Sequence, residues 1–136
     1  MSVRICRILG TGVLLLPLLS ASCSSRKYDG KWEGMTSQGG VLAFTVKDGV
    51  ITKARIEFEL KCERSGFCPV RRSTEQDLSA KISGGSFSAT IEKAILSGKF
   101  DSNAKATGEL KAEEPNSPCG TCSANLTWTA ENVAPP

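Results

Sequence analysis

Apolar and polar residues alternate through nearly the whole chain after Cys23, and no stretch there carries a helical apolar stripe of useful length. In "ITKARIEFEL", Ala54, Ile56, Phe58 and Leu60 fall on one face and Lys53, Arg55, Glu57 and Glu59 on the other, the period of a half-buried strand. The preceding run "VLAFTV" puts Leu42, Phe44 and Val46 in step. Asp48-Gly49 between the two runs is a hairpin turn, because both residue types accept positive φ. The second half repeats the pattern with Leu78, Ala80 and Ile82, then Gly84-Gly85, then Phe87, Ala89 and Ile91, which implies another hairpin. Leu96, Gly98 and Phe100 follow, then a Ser102-Asn103 turn and Ala104, Ala106, Gly108 and Leu110; a last run aligns Ala124, Leu126, Trp128 and Ala130. With an opening strand around Trp32, the pattern predicts an all-β fold, an antiparallel β-sandwich or small barrel of about eight strands. The segments "KCERSGFCPVRRSTEQD" and "KAEEPNSPCG" are expected as its two longest loops, and both carry cysteines.

The first residues break this pattern. Arg4 and Arg7 precede an apolar run from Ile8 to Leu19, and the small residues Ser20-Ala21-Ser22 lead to Cys23. A helix over that run reaches about 18 Å at roughly 1.5 Å per residue, short of the roughly 30 Å core of a bilayer, so it reads as a signal-peptide helix and not a permanent span. The segment resembles the lipobox leader of bacterial lipoproteins, departing from its usual form in having Ser20 where leucine is commonest. The resemblance implies cleavage before Cys23, a diacylglycerol thioether on its thiol, and stable anchoring by several acyl chains. Ser24 after the cysteine implies the outer membrane where two membranes exist. The expected organisation is a signal peptide over 1–22, a lipid-anchored tether over 23–29, a β-domain over 30–131 and a tail over 132–136.

A second resemblance rests on "DGKWEGMTSQGGVLAFTVKDGVIT", "ISGGSFSATI" and "CSANLTWTA". These strings are similar to a module of secreted bacterial proteins that opens G-x-W-x-G-x-T-S-Q-G and closes on a cysteine followed by W-T-A, with Met35 where the module commonly has Thr or Ser. It implies secretion and an all-β fold, and no chemistry.

The chain has 17 Lys and Arg against 14 Asp and Glu, and two of those cations, Arg4 and Arg7, belong to the leader. Paired basic residues occur only as Arg26-Lys27 and Arg71-Arg72, too few to track phosphates, so nucleic acid is not an expected partner. Histidine is absent, which removes Ser-His and Cys-His nucleophile pairs and imidazole metal sites. Glu57 with Glu59 is explained by the solvent face of a strand, and Glu113 with Glu114 by a polar loop beside Pro115. No glycine-rich phosphate loop stands between a strand and a helix. The expectation is a protein that is not an enzyme, with no cofactor and no metal.

Cys62, Cys68, Cys119 and Cys122 are the most informative residues that remain. Export to an oxidising compartment favours two disulfides over a zinc site or a redox pair, and the run after Cys122 reads as a strand where a thioredoxin-type motif needs a helix. Four cysteines allow three pairings. Bridges between the Cys62 loop and the Cys119 loop close longer chain segments and stabilise more, so cross-pairing is favoured; local pairing of Cys62 with Cys68 and Cys119 with Cys122 is the rival.

Tyr28 and Trp32, with Trp128, are candidates for an aromatic platform that binds sugar rings, although the phase of Trp128 with Leu126 and Ala130 assigns it to the core. The functional expectation is a lipid-anchored, extracytoplasmic binding or surface-structural module, attached to membrane through Cys23 and facing an envelope glycan or a protein. A carbohydrate-binding module, or an inhibitor of a secreted hydrolase such as lysozyme, is the alternative.

Overall fold

The Asp48-Gly49 hairpin forms as the sequence predicts. In the computed structural model, which describes residues 26–134, φ is 53° at Asp48 and 74° at Gly49, the mirror-image turn that matches the twist of paired strands. The expected signal peptide, its cleavage site and Cys23 lie outside the described residues. Nine strands follow one another: β1 (Gly30–Thr36), β2 (Val41–Lys47), β3 (Val50–Glu59), β4 (Lys61–Cys62), β5 (Arg71–Lys81), β6 (Ser86–Ile91), β7 (Ala94–Phe100), β8 (Lys105–Ser117) and β9 (Gly120–Ala134). All pairings are antiparallel, in the order β5-β3-β2-β1-β9-β8-β7-β6, and the short β4 pairs with β9 outside that path. The sheet therefore curls into a nearly closed barrel whose single seam lies between β5 and β6.

The seam corrects one expectation. Gly84-Gly85 does turn the chain, but the only bridge beyond it is Ser83 with Ser86, and β5 and β6 then part instead of pairing as a hairpin. Two expected loops are also shorter than the sequence pattern implied. Strand β5 begins at Arg71, where "RRSTEQD" has no apolar residue to signal a strand, and it forms because β3 offers it an edge along its whole length. Strand β8 continues to Ser117, with a register shift between Glu114 and Ser117 that accommodates Pro115. Ala104, expected on the inner face, is exposed in the β7–β8 turn.

The inner face is built in rows across the strands. One row runs Phe87, Gly98, Gly108, Trp128 and Thr36 from β6 to β1. The Trp128 indole lies flat over the two glycines: a Cβ at Gly108 would stand 2.6 Å from its Cε2, and one at Gly98 would stand 2.7 Å from its Cη2. Its Nε1 donates to the carbonyls of Ser97 and Glu109 at 3.2 Å each, so the buried N–H is satisfied. Phe44 meets Trp128 edge-on at 5.9 Å between centroids and stacks on Trp32 at 5.8 Å, while Phe100 closes on Trp32 at 4.8 Å. The next row is Ala89, Leu96, Leu110 and Leu126, and the one beyond it is Ile91, Ala94, Ala112 and Ala124.

The residues that carry the opening resemblance are spent on this architecture. Trp32 is 0 % exposed and donates its Nε1–H to the Tyr28 carbonyl at 2.9 Å. Gly34 lets β1 approach β9, since a Cβ there would run into the Thr129 carbonyl oxygen and the Ala130 Cα. Thr36 Oγ1 accepts from the Gln38 and Gly40 N–H groups, and the Gln38 amide both donates to the Glu59 carbonyl at 3.0 Å and accepts from the Glu59 N–H at 2.8 Å. The motif therefore fastens the β1–β2 turn to β3.

The chain is also tied down before β1. Tyr28, read from sequence as tether, stacks on Phe100 at 4.4 Å. The Asp29 carboxylate accepts from the Asp48 and Gly49 N–H groups at 2.9 and 3.2 Å, which holds the β2–β3 turn. At the other terminus β9 runs to Ala134, into the segment expected as tail.

Trp128 is 2 % exposed and sits at the centre of the barrel. Trp128→Ala should lower the unfolding free energy by about 3–5 kcal/mol, measured by denaturant titration. A change within about 0.5 kcal/mol would place the indole outside the core.

Candidate functional site

Antiparallel strands alternate in direction, and this sorts the loops to the two ends of the barrel. The near end holds Arg26, the Asp48-Gly49 and Gly84-Gly85 turns, the β7–β8 turn and Ala134. The far end holds the β1–β2 turn, the long connection between β3 and β5, the β6–β7 turn and the β8–β9 turn. Both disulfides are at the far end.

Cys62 pairs with Cys122 and Cys68 with Cys119, the cross-pairing that loop-closure entropy favours. The two bridges join the connection 60–70 to the tip of the β8–β9 hairpin. Its ends are close, because the Leu60 N–H donates to the Val70 carbonyl at 2.7 Å, and Glu63 and Arg64 donate backbone N–H groups to the carbonyls of Thr121 and Cys119. Glu63 turns its carboxylate inward onto the Thr121 N–H. The result is a rigid loop that holds Phe67 fully in solvent. Such loops, compact and closed on themselves, are frequent carriers of function. The disulfides are also consistent with an extracytoplasmic location.

Beside this loop the barrel opens into a cavity of about 300 Å³. Its floor is apolar: Phe58, Leu60, Ile91, Ala94 and Ala112, all buried. The cavity exists because alanines occupy the last row, where the row below has three leucines. Its rim is polar. Arg72 lies in register with Phe58, so its side chain is directed to the inner face, and Glu114 follows Ala112 on that face from β8. The guanidinium meets one carboxylate oxygen of Glu114 through Nε at 3.1 Å and Nη2 at 2.6 Å. Arg72 Nη1 donates to the Pro69 and Arg71 carbonyls, so the same residue joins the disulfide loop to the mouth. Lys93 Nζ approaches Glu114 at 3.8 Å.

The β6–β7 turn at this rim is strained. Glu92 has φ of 55°, a conformation normally left to glycine at the first position of such a turn, and its carboxylate accepts from Thr74 Oγ1 at 3.0 Å across the open seam. On the outer wall, Lys53 and Glu75 pair at 2.8 Å between β3 and β5, which lowers the Glu75 carboxyl and raises the Lys53 amine from their ordinary values. Both side chains are exposed, and screening there leaves such a pair little effect on stability.

The candidates read from sequence are thus divided. The four cysteines converge on the far end. Trp32 is sealed in the core and Tyr28 is stacked on Phe100, so no exposed aromatic platform forms from them. Cys23 lies outside the described residues. Among the described residues, no group of three or more His, Cys, Asp and Glu is placed to hold a metal ion. Sequence reasoning passed over Phe67, Glu92 and the Arg72–Glu114 pair. Arg72 and Glu114 fall in segments that read as loops, so their inward positions become visible only with the register of β5 and β8.

The bridges are nested, with sequence separations of 60 and 51. Either one alone closes a long loop, worth about 4 kcal/mol in the chain-entropy model, and the second then closes a ring of only about ten residues, worth about 2.5 kcal/mol. Removing Cys62–Cys122 or Cys68–Cys119 by paired serine substitution should therefore cost about 2.5 kcal/mol each, and removing both should cost more than the sum. Equal or smaller loss in the quadruple variant, measured by denaturant unfolding, would refute the nested-loop explanation.

Comparison with protein-family models, with curated proteins and with solved structures finds no match.

Proposed function

We propose that the chain is an extracytoplasmic, non-catalytic binding module, held to a membrane by lipid on Cys23 and presenting its far end away from that membrane. The observation that carries this reading is the separation of the two ends: the chain enters the barrel at Arg26, which is fixed to Asp48 at 2.9 Å, while the disulfide-clamped loop and the apolar mouth stand at the opposite end. Cys23 precedes Arg26 by only three residues, a reach of roughly 10 Å at most. The near end then rests at the membrane surface.

Charge supports the same orientation. Lys27 precedes β1, Lys47 and Lys81 end β2 and β5, and Lys105 begins β8, so four exposed lysines ring the near end. None is in an ion pair among the described residues, whereas Asp48 is paired with Arg26, Asp101 lies 4.0 Å from Lys99 and Asp29 is turned onto backbone N–H groups. Anionic headgroups attract such a ring by about 1 kcal/mol per lysine near the surface. At the far mouth the ionisable groups are tied to one another or to Thr74, an arrangement suited to holding a shaped surface. Its partner is an envelope glycan or a protein.

Two experiments test this. Mass spectrometry of the purified protein should find it beginning at an acylated Cys23, and Cys23→Ser should release it from membranes; an unmodified Cys23 in membrane-bound protein would overturn the anchor. Photo-crosslinking groups placed at Phe67 and Lys93 should capture cell-wall fragments, glycans or lysozyme when these are offered, whereas groups at Lys81 and Lys105 should not. Capture confined to Lys81 and Lys105 would reverse the assignment of the two ends.

A further inference from the structure

We infer that the far mouth is a binding site for one small apolar group, an aliphatic chain carried on a polar head that stays at the rim. This rests on the reading of the far end as the recognition end and names the chemistry that end selects.

Three features converge on it. The floor of Phe58, Leu60, Ile91, Ala94 and Ala112 offers no charge and no side-chain hydrogen-bonding group, so its natural occupant is apolar. Floor and rim together hold about 300 Å³, room for a short aliphatic chain with its head at the rim. A small domain gains from filling such a space, and the row below shows how: Leu96, Leu110 and Leu126 stand where Ala94, Ala112 and Ala124 stand one row further on. The alanines keep the floor open.

The rim is suited to admitting a chain. Arg72 and Glu114 neutralise each other across the mouth, Glu92 is held by Thr74, and Lys93 lies beside Glu114, so the rim has two charges of each sign. Thr74, on the inner face of β5, donates its hydroxyl to Glu92 and keeps its oxygen lone pairs to accept from an uncharged head. The mouth also lies at the top of the one seam where neighbouring strands share no ladder. Entry between β5 and the β6–β7 turn breaks side-chain contacts and leaves the β ladders intact.

The test uses the mature chain with Cys23→Ser, which removes acyl groups that would compete for the mouth, and straight-chain alkanols from butan-1-ol to octan-1-ol. Backbone amide NMR should show saturable shifts at Phe58, Ile91, Ala94 and Ala112, with affinity tightening about fourfold per added methylene until the cavity is full. Ala94→Leu and Ala112→Leu, made separately, should each abolish these shifts while the remaining spectrum stays folded. Shifts absent from the mouth, or unchanged affinity in both folded leucine variants, would overturn the inference. Failure of alkanol binding with crosslinks still mapping to the far end would remove this inference and leave the binding-module reading. Alkanol binding with crosslinks confined to the near end would do the reverse.

Discussion

The contact on which the rest of the structure depends is the Trp128 indole lying flat across Gly108 and Gly98. A large ring can occupy the middle of so small a barrel only where neighbouring strands have no side chains. The two glycines provide that space on successive strands, in one row. The ring then organises the aromatic centre, with Phe44 and Phe87 within about 6 Å of it and Trp32 stacked beyond Phe44. Curvature follows from the same arrangement, because strands β7, β8 and β9 wrap around the indole and bring β6 back towards β5.

The consequences differ at the two ends. Towards the near end the core is sealed by Tyr28 on Phe100 and by Asp29 on the β2–β3 turn, so the chain enters as part of the domain. Towards the far end the core thins from aromatic rings to leucines to alanines. The last row leaves a cavity, and a cross-barrel ion pair and two disulfides hold the surrounding loops in place. Rigidity at that end comes from covalent and ionic ties, which do not require the space to be filled. A scaffold of this kind can keep an apolar site open without losing its shape.

The elements legible in the sequence were those with a clean apolar alternation. Strands β2, β3, β6 and β9 were read from residues that the structure buries, and the phase of Trp128 assigned it correctly. Strand β5 was partly missed because Arg71 to Asp77 are all polar: the strand borders the seam, so its inner residues Thr74 and Gln76 are only half-buried and need not be apolar. The end of β8 was missed because Pro115 and Ser117 look like a loop when the pairing partner, a long β9, is not in view. Disulfide pairing was weighed correctly by entropy. The cavity could not be read at all, since an alanine row is visible only once the register of β7, β8 and β9 is known.

The most direct test of the central packing is Gly98→Ala. The backbone at this position is not in a glycine-only conformation, so any effect reports the space above it; a Cβ there would stand 2.7 Å from the Trp128 Cη2 and 2.8 Å from the Thr107 carbonyl oxygen. Denaturant unfolding, followed by the tryptophan near-ultraviolet circular dichroism, should show a loss of roughly 2–3 kcal/mol and an altered native signal, as expected when a well-packed core is overfilled. A stability within about 0.5 kcal/mol of the parent with an unchanged native spectrum would contradict the claim that the barrel is built around this contact.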